Sequence, residues 1–210
     1  MKLRNANKAQ VAMFIIIGIL VVGAILILIF ISKYIEASED SNNFPELNTY
    51  INNIHRNALT CTVYMLGKDG KQELGLPTLQ QTEEKANLYL PSLINPDWKT
   101  FPQYKIKQNT ITSKVSLSLN DVSTLITNNF IATKDTIVTE FKDFSAKVPI
   151  RYAHIHKIAD IQFKDPAINL NELADVDLDK EIKIGNRTTF KFTDKQSKID
   201  NKDYEFFFSK

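Results

Sequence analysis

FKDFSAKVPIRYAHIHKIADIQF, residues 141–163, changes its period in the middle. Up to Pro149 the apolar residues Phe144, Ala146 and Val148 alternate with polar ones, the pattern of a strand with one buried face. From Pro149 onward Ile150, Ala153, His154, Ile158 and Ile161 recur at helical spacing and stop near Asp165-Pro166. The stretch therefore predicts a strand followed by a separate helix.

The same two periods divide the rest of the chain. Val115, Leu117 and Leu119 alternate with Ser and Asn in SKVSLSLND, and apolar runs at 125–131 and 137–141 flank the turn-like ATKD of 132–135. Together they predict a meander. Downstream, NLNELA at 169–174 reads as a short helix. GNRTTFKFTD, a turn at Asp200 to Lys202 and YEFFF then read as a closing hairpin. Upstream, Pro45 suits a first helical position, and Leu47, Tyr50, Ile51, Ile54, Ala58, Cys61 and Met65 form a stripe predicting a helix from Pro45 to Leu66, stopped by Gly67 and Gly70. A second short helix is expected over Gln80 to Leu90. Pro91, Pro96 and Pro102 forbid long regular structure beyond it, where Trp98 would plug the core edge or sit at a membrane interface. Strands with segregated helices indicate one α+β domain over residues 44–210, with a mostly antiparallel sheet and two or three helices.

The N-terminal part has neither period. Val11 to Ile31 are twenty-one consecutive residues without a polar or charged side chain, long enough as a helix, at roughly 31 Å, to cross a bilayer. Residues 10–32 are thus expected to be a transmembrane helix in contact with lipid, after a basic segment 1–9 and before a juxtamembrane linker 33–43. Lys2, Arg4 and Lys8 precede the span, and Glu36, Glu39 and Asp40 follow it. The positive-inside rule therefore places the N-terminus in the cytoplasm and the C-terminal domain outside the cell membrane. The apolar run exceeds a secretory h-region, and SKYIEASED offers no clean A-x-A site, so the helix is expected to be retained. Those three bases are part of the 26, so the remainder carries 23 against 24 acids, a net charge of −1. That balance argues against a nucleic-acid partner.

Candidate chemistry is thin. His154 and His156 would share a face on a strand, but on the expected helix they diverge by about 200°, and no cluster of further ligands completes a metal site. His55 and Cys61 are six apart on one helix, too far for a nucleophile and its base. Cys61 has no partner for an intramolecular disulfide and is expected to be a small buried apolar residue. Asp175, Asp177, Asp179 and Glu181 in ADVDLDKEI lack the glycine and twelfth-position glutamate of a calcium loop, and read as a solvated edge or loop. No phosphate-binding glycine loop or G-x-S-x-G is present. Neither a catalytic residue nor a cofactor is expected. Asn186-Arg187-Thr188 is an N-x-T sequon, which outside the membrane makes Asn186 a glycosylation acceptor.

KAQVAMFIIIGILVVGAILILIF resembles the N-termini of an uncharacterised family of membrane-anchored proteins from small-genome, DPANN-type archaea. TYINNIHRNALTCTVYMLGKDG, FKDFSAKVPIRYAHIHKIADIQF and DYEFFFSK are similar to that family's helix, its strand and proline-started helix, and its aromatic closing strand. The family carries no known activity. The same N-terminus resembles an archaeal class III signal, as in type IV pilins, which would be cut between Ala9 and Gln10. Counted from Gln10 the fifth residue is Phe14, where pilins usually carry glutamate. The expected function is a non-enzymatic, membrane-anchored surface protein that binds a protein partner at the cell envelope. A pilin-like subunit processed before Gln10 is the first alternative, and an extracytoplasmic hydrolase using His154, His156 or Cys61 the second.

Overall fold

The computed structural model describes residues 44–71, 74–165, 176–184 and 186–210. The expected basic segment, transmembrane span, linker, Ala9-Gln10 cleavage pair and short helix at 169–174 lie outside the described residues, within which no helix is long and apolar enough to cross a membrane. The described fold is α+β, in the order α1 (Pro45–Asp69), α2 (Leu79–Leu93), a 3-10 turn (Trp98–Thr100), β1 (Lys105–Leu117), β2 (Val122–Lys134), β3 (Ile137–Val148), α3 (Tyr152–Lys164), β4 (Val176–Ile184), β5 (Arg187–Ile199) and β6 (Lys202–Ser209).

Pairing is antiparallel, but the strands form two three-stranded sheets, β1-β2-β3 and β4-β5-β6, where the sequence suggested one. In ADVDLDKEI, expected as a solvated edge or loop, the described residues from Val176 onward belong to the edge strand β4. β1 ends at Leu117, so Leu119 does not continue its inward row. The Ser118 hydroxyl accepts the N–H groups of Asn120 and Asp121 and closes a turn that leaves Leu119 exposed.

Each sheet buries an aromatic layer. In the first, Phe130 of β2 stacks on Phe141 of β3 at 4.4 Å, beside Phe144. In the second, Phe190 and Phe192 of β5 stack on Phe208 of β6. Three consecutive residues, Phe206, Phe207 and Phe208, are buried because both faces of β6 are covered. Phe206 and Phe208 meet Tyr152, His156 and Phe163 of α3, while Phe207 lies under the amines of Lys68 and Lys71 at the end of α1.

α2 covers the free edge of β1. Thr78 and Gln81 form a capping box at its start, satisfying two backbone donors reciprocally. Farther along, Asn87 Oδ1 accepts from the Val115 N–H at 2.7 Å and Glu83 Oε1 from the Leu117 N–H at 2.8 Å. Those side chains occupy edge groups that would otherwise template another strand. The helix runs one turn past the expected Leu90.

α1 runs through Gly67 to Asp69 rather than stopping at Leu66. The two glycines admit a close approach to β6. A Cβ on Gly67 would lie 2.5 Å from the Glu205 carbonyl oxygen, and one on Gly70 only 1.7 Å from that of Phe207. Its buried face is also rotated from the expected stripe, through Leu47, Ile51, His55, Ala58, Leu59, Thr62, Val63 and Leu66. Cys61 and Met65 are exposed instead.

Candidate functional site

The rotation of α1 separates the sequence-derived candidates. His55 is fully buried while Cys61 faces solvent, so the thiol hydrolase pair is not assembled. The expectation of a buried Cys61 is wrong because His55 and Thr62, polar in the sequence, occupy the core face. Thr62 is accommodated by donating its hydroxyl to the Ala58 carbonyl at 2.9 Å. On α3, His154 is half-buried, whereas His156 donates Nε2–H to the Pro77 carbonyl at 2.6 Å and packs on Phe206. Among the described residues no three His, Cys, Asp or Glu side chains are grouped to hold a metal. Asp177 pairs with Lys195 across the β4–β5 pair. Asp175 lies outside the described residues, as do the side chains of Asp179 and Glu181. Asn186 is exposed in the tight turn joining β4 to β5. Trp98 is half-buried and tilts against Phe130 at 5.3 Å, so it plugs the core edge.

Trp98 also starts a polar chain that no local pattern of residues signals. Its Nε1–H donates to Gln108 Oε1 at 3.0 Å, Gln108 Nε2 donates to Asn128 Oδ1 at 3.0 Å, and Asn128 Nδ2 lies 3.1 Å from His55 Nε2. An indole nitrogen can only donate, which fixes the direction of every later bond and makes His55 Nε2 the acceptor. The ring proton then sits on Nδ1, which has no hydrogen-bond partner. Burial holds the imidazole neutral, with its pKa lowered to about 4. Such a chain orients side chains in the core, with Asn128 and His55 fully buried and Trp98 and Gln108 half-buried.

A second buried group is held equally firmly. Asp194 accepts from Arg151 Nε at 3.0 Å and Nη2 at 2.5 Å, from Ser197 Oγ at 2.6 Å and from the Gln196 N–H at 3.0 Å. It lies where the β5–β6 register shifts, so the ion pair ties that irregularity to the start of α3.

The surface feature of most consequence is a groove of about 730 Å³ between the exposed face of α1 and the β5–β6 turn. Cys61, Tyr64, Met65, Leu93 and Ile199 give it apolar walls, and Asp200, Lys202 and Asp203 stand at its rim. Tyr64 is 51% and Met65 36% exposed. Asp200 and Asn201 have positive φ, which lets the hairpin turn tightly at that rim. Glu205 at the groove is paired with Lys68 and, at 2.9 Å, with Lys191. Hydrogen bonds from Lys191 and then Lys68 pull its pKa down to about 2. Its carboxylate is therefore committed to structure. What the groove offers a ligand is apolar contact bounded by charges of both signs. Of its walls, the sequence reading places Cys61 and Met65 on the core stripe of α1 and leaves Tyr64 out of it. Ile199 and Leu93, remote in the chain, carried no signal.

No known protein family matches the chain, and neither the characterised proteins nor the solved structures compared with it gave a match.

Proposed function

We propose that the chain is a membrane-anchored surface protein whose folded domain binds a protein partner through the groove on α1. The observation that carries this reading is the groove itself, an opening of about 730 Å³ whose exposed Tyr64 and Met65 stand beside Cys61 and Leu93. Tyr and Met are enriched at protein interfaces, Tyr because it buries a large apolar area and keeps one polar atom, Met because its flexible thioether adapts to the opposing surface. A rim carrying Lys202, Asp200 and Asp203 suits a partner with charges of both signs around an apolar centre. This reading assigns binding, without catalysis or a cofactor. The uninterrupted apolar run at 11–31 supports attachment to the bilayer, and the basic residues before it support an exterior position for the domain. The exposure of Asn186 in a turn supports its use as a glycan acceptor there.

A photo-crosslinking amino acid at position 64, in the full chain in its native membrane, is expected to give one discrete protein adduct that Met65→Asp abolishes. The same probe at the exposed Leu125 serves as the control. Identical adducts from both positions would reject the groove as the binding site. The pilin-like alternative rests on Lys8-Ala9-Gln10 preceding the apolar run. It requires a mature N-terminus at Gln10, which N-terminal peptide mapping reads directly.

A further inference from the structure

We infer that one end of the domain, the β2–β3 hairpin tip and its surroundings, rests on the lipid surface, an inference that depends on the anchored reading above. Ile137 and Val138 at that tip are 50% and 61% exposed. They follow a tight turn in which Asp135 has positive φ and Lys134 pairs with Ile137. Two exposed β-branched residues on a hairpin are a poor surface in water and a natural wedge into the boundary between headgroups and acyl chains.

The position of this tip within the fold is what points to lipid. Thr133 pairs with Lys105 at the start of β1, and the Lys134 amine lies 5.4 Å from the centre of the Tyr104 ring. The Tyr104 hydroxyl donates to Glu46 Oε1 at 2.5 Å, and Gln103 Nε2 reaches the same oxygen at 3.2 Å. The tip therefore belongs to the end of the domain where α1 begins. Only 11 residues, 33–43, lie between that end and the apolar run in the sequence, and a coil of that length spans about 18 Å on average. The opposite end, at Asp69, is 23 residues farther along α1, or about 35 Å.

The rest of this end fits an interface. Tyr50, Trp98 and Phe101 are half-buried and mutually packed, with Tyr50 and Phe101 rings at 4.8 Å. Lys99 and Lys105 are exposed beside them. Lysine stems lie along apolar surface while the amines reach polar headgroups, and aromatic rings favour the same depth. Glu46, Asp97 and Asp135 balance the three lysines Lys99, Lys105 and Lys134. Attachment is thus expected from apolar insertion and not from attraction to anionic lipid.

The test uses the full chain in phosphatidylcholine vesicles, in a Cys61→Ser background that removes the native thiol. Val138→Cys is compared with Leu88→Cys, a 76%-exposed position on α2. α2 is tied to the far end of α1 by the contacts of Lys85 and Tyr89 with Asp69. Each carries an environment-sensitive fluorophore, with a headgroup-nitroxide lipid as quencher. Label at 138 should be blue-shifted and quenched severalfold more than label at 88, with no change on adding salt. Equal quenching at both sites, in protein that floats with the vesicles and resists alkaline extraction, overturns the inference and leaves the anchored reading intact. Protein that fails to float overturns both. A blue shift that appears only at high protein density assigns the tip to a second copy and also overturns it. Urea midpoints matching the unlabelled protein establish that the variants are folded.

Discussion

Lowering the pH from 7 to 5 should destabilise the folded domain through His55 alone by about 2 kcal/mol. Its imidazole is buried, is neutral in the fold with a pKa near 4, and titrates near 6.5 when unfolded. Between those values the unfolded chain binds a proton that the folded one refuses, so stability rises with pH across the window and is lost as pH falls through it. Each pH unit inside the window is worth about 1.4 kcal/mol, and the interval from 6.5 to 5 supplies nearly all of the difference. Burial is the reason for the refusal, since the charged ring would lose its hydration, and the Trp98 chain fixes which nitrogen would have to take the proton. A second ring proton would have to enter at Nε2, against the Asn128 amide that donates there. Urea unfolding of a fragment spanning residues 44–210, followed by the fluorescence of Trp98, is a suitable assay because that residue is the sole tryptophan. At an m-value of about 2 kcal/mol/M the midpoint should fall by roughly 1 M urea between pH 7 and 5. In His55→Gln the amide oxygen can still accept from Asn128, so the variant should fold and show a much smaller drop. The difference between the two proteins isolates the contribution of His55. Parallel pH profiles for wild type and His55→Gln would refute the reasoning.

Arg151→Ala leaves the buried Asp194 carboxylate with only Ser197 and Gln196 as donors. The loss of a buried partner costs about 3–5 kcal/mol, so calorimetry should find the melting temperature lowered by roughly 10 °C. Gly70→Ala drives a methyl into the backbone of Phe207, and chemical denaturation should register a loss of about 1–3 kcal/mol or more. Glu205, with its pKa depressed by Lys191 and Lys68, contributes stability that is complete above about pH 4.5 and lost as pH falls toward 2. Replacing both lysines by Met should flatten the acid limb of the unfolding profile between those values.

The local periods carried much of this fold. Alternation at Phe144, Ala146 and Val148 marked β3, the helical row after Pro149 marked α3, and YEFFF marked β6. Their partition into two sheets was not legible, because strand order depends on contacts that no local period encodes. Nor was the core face of α1. A hydrophobic count excludes His55 and Thr62, yet both are buried because a hydrogen-bond partner exists, for His55 a residue 73 positions away. With those two positions misassigned, Cys61 and Met65 were drawn inward and the apolar surface of the groove was hidden. Gly67 and Gly70 resemble a helix stop in sequence. Their actual service, the admission of β6 against α1, appears only when both elements are placed.

That junction also sets an order of events during synthesis. The C-terminal half of α1 leaves the ribosome early, while the strand that covers it is made last of the described elements. Tyr204 donates to the Val63 carbonyl across 141 positions, and Ser209 to the Gly70 carbonyl across 139. Until β6 emerges, the Val63 and Gly70 carbonyls and the glycine face lack their native partners in that strand. The nascent domain must therefore carry an incompletely covered α1 through most of its translation, and only chains translated through β6 can close that junction.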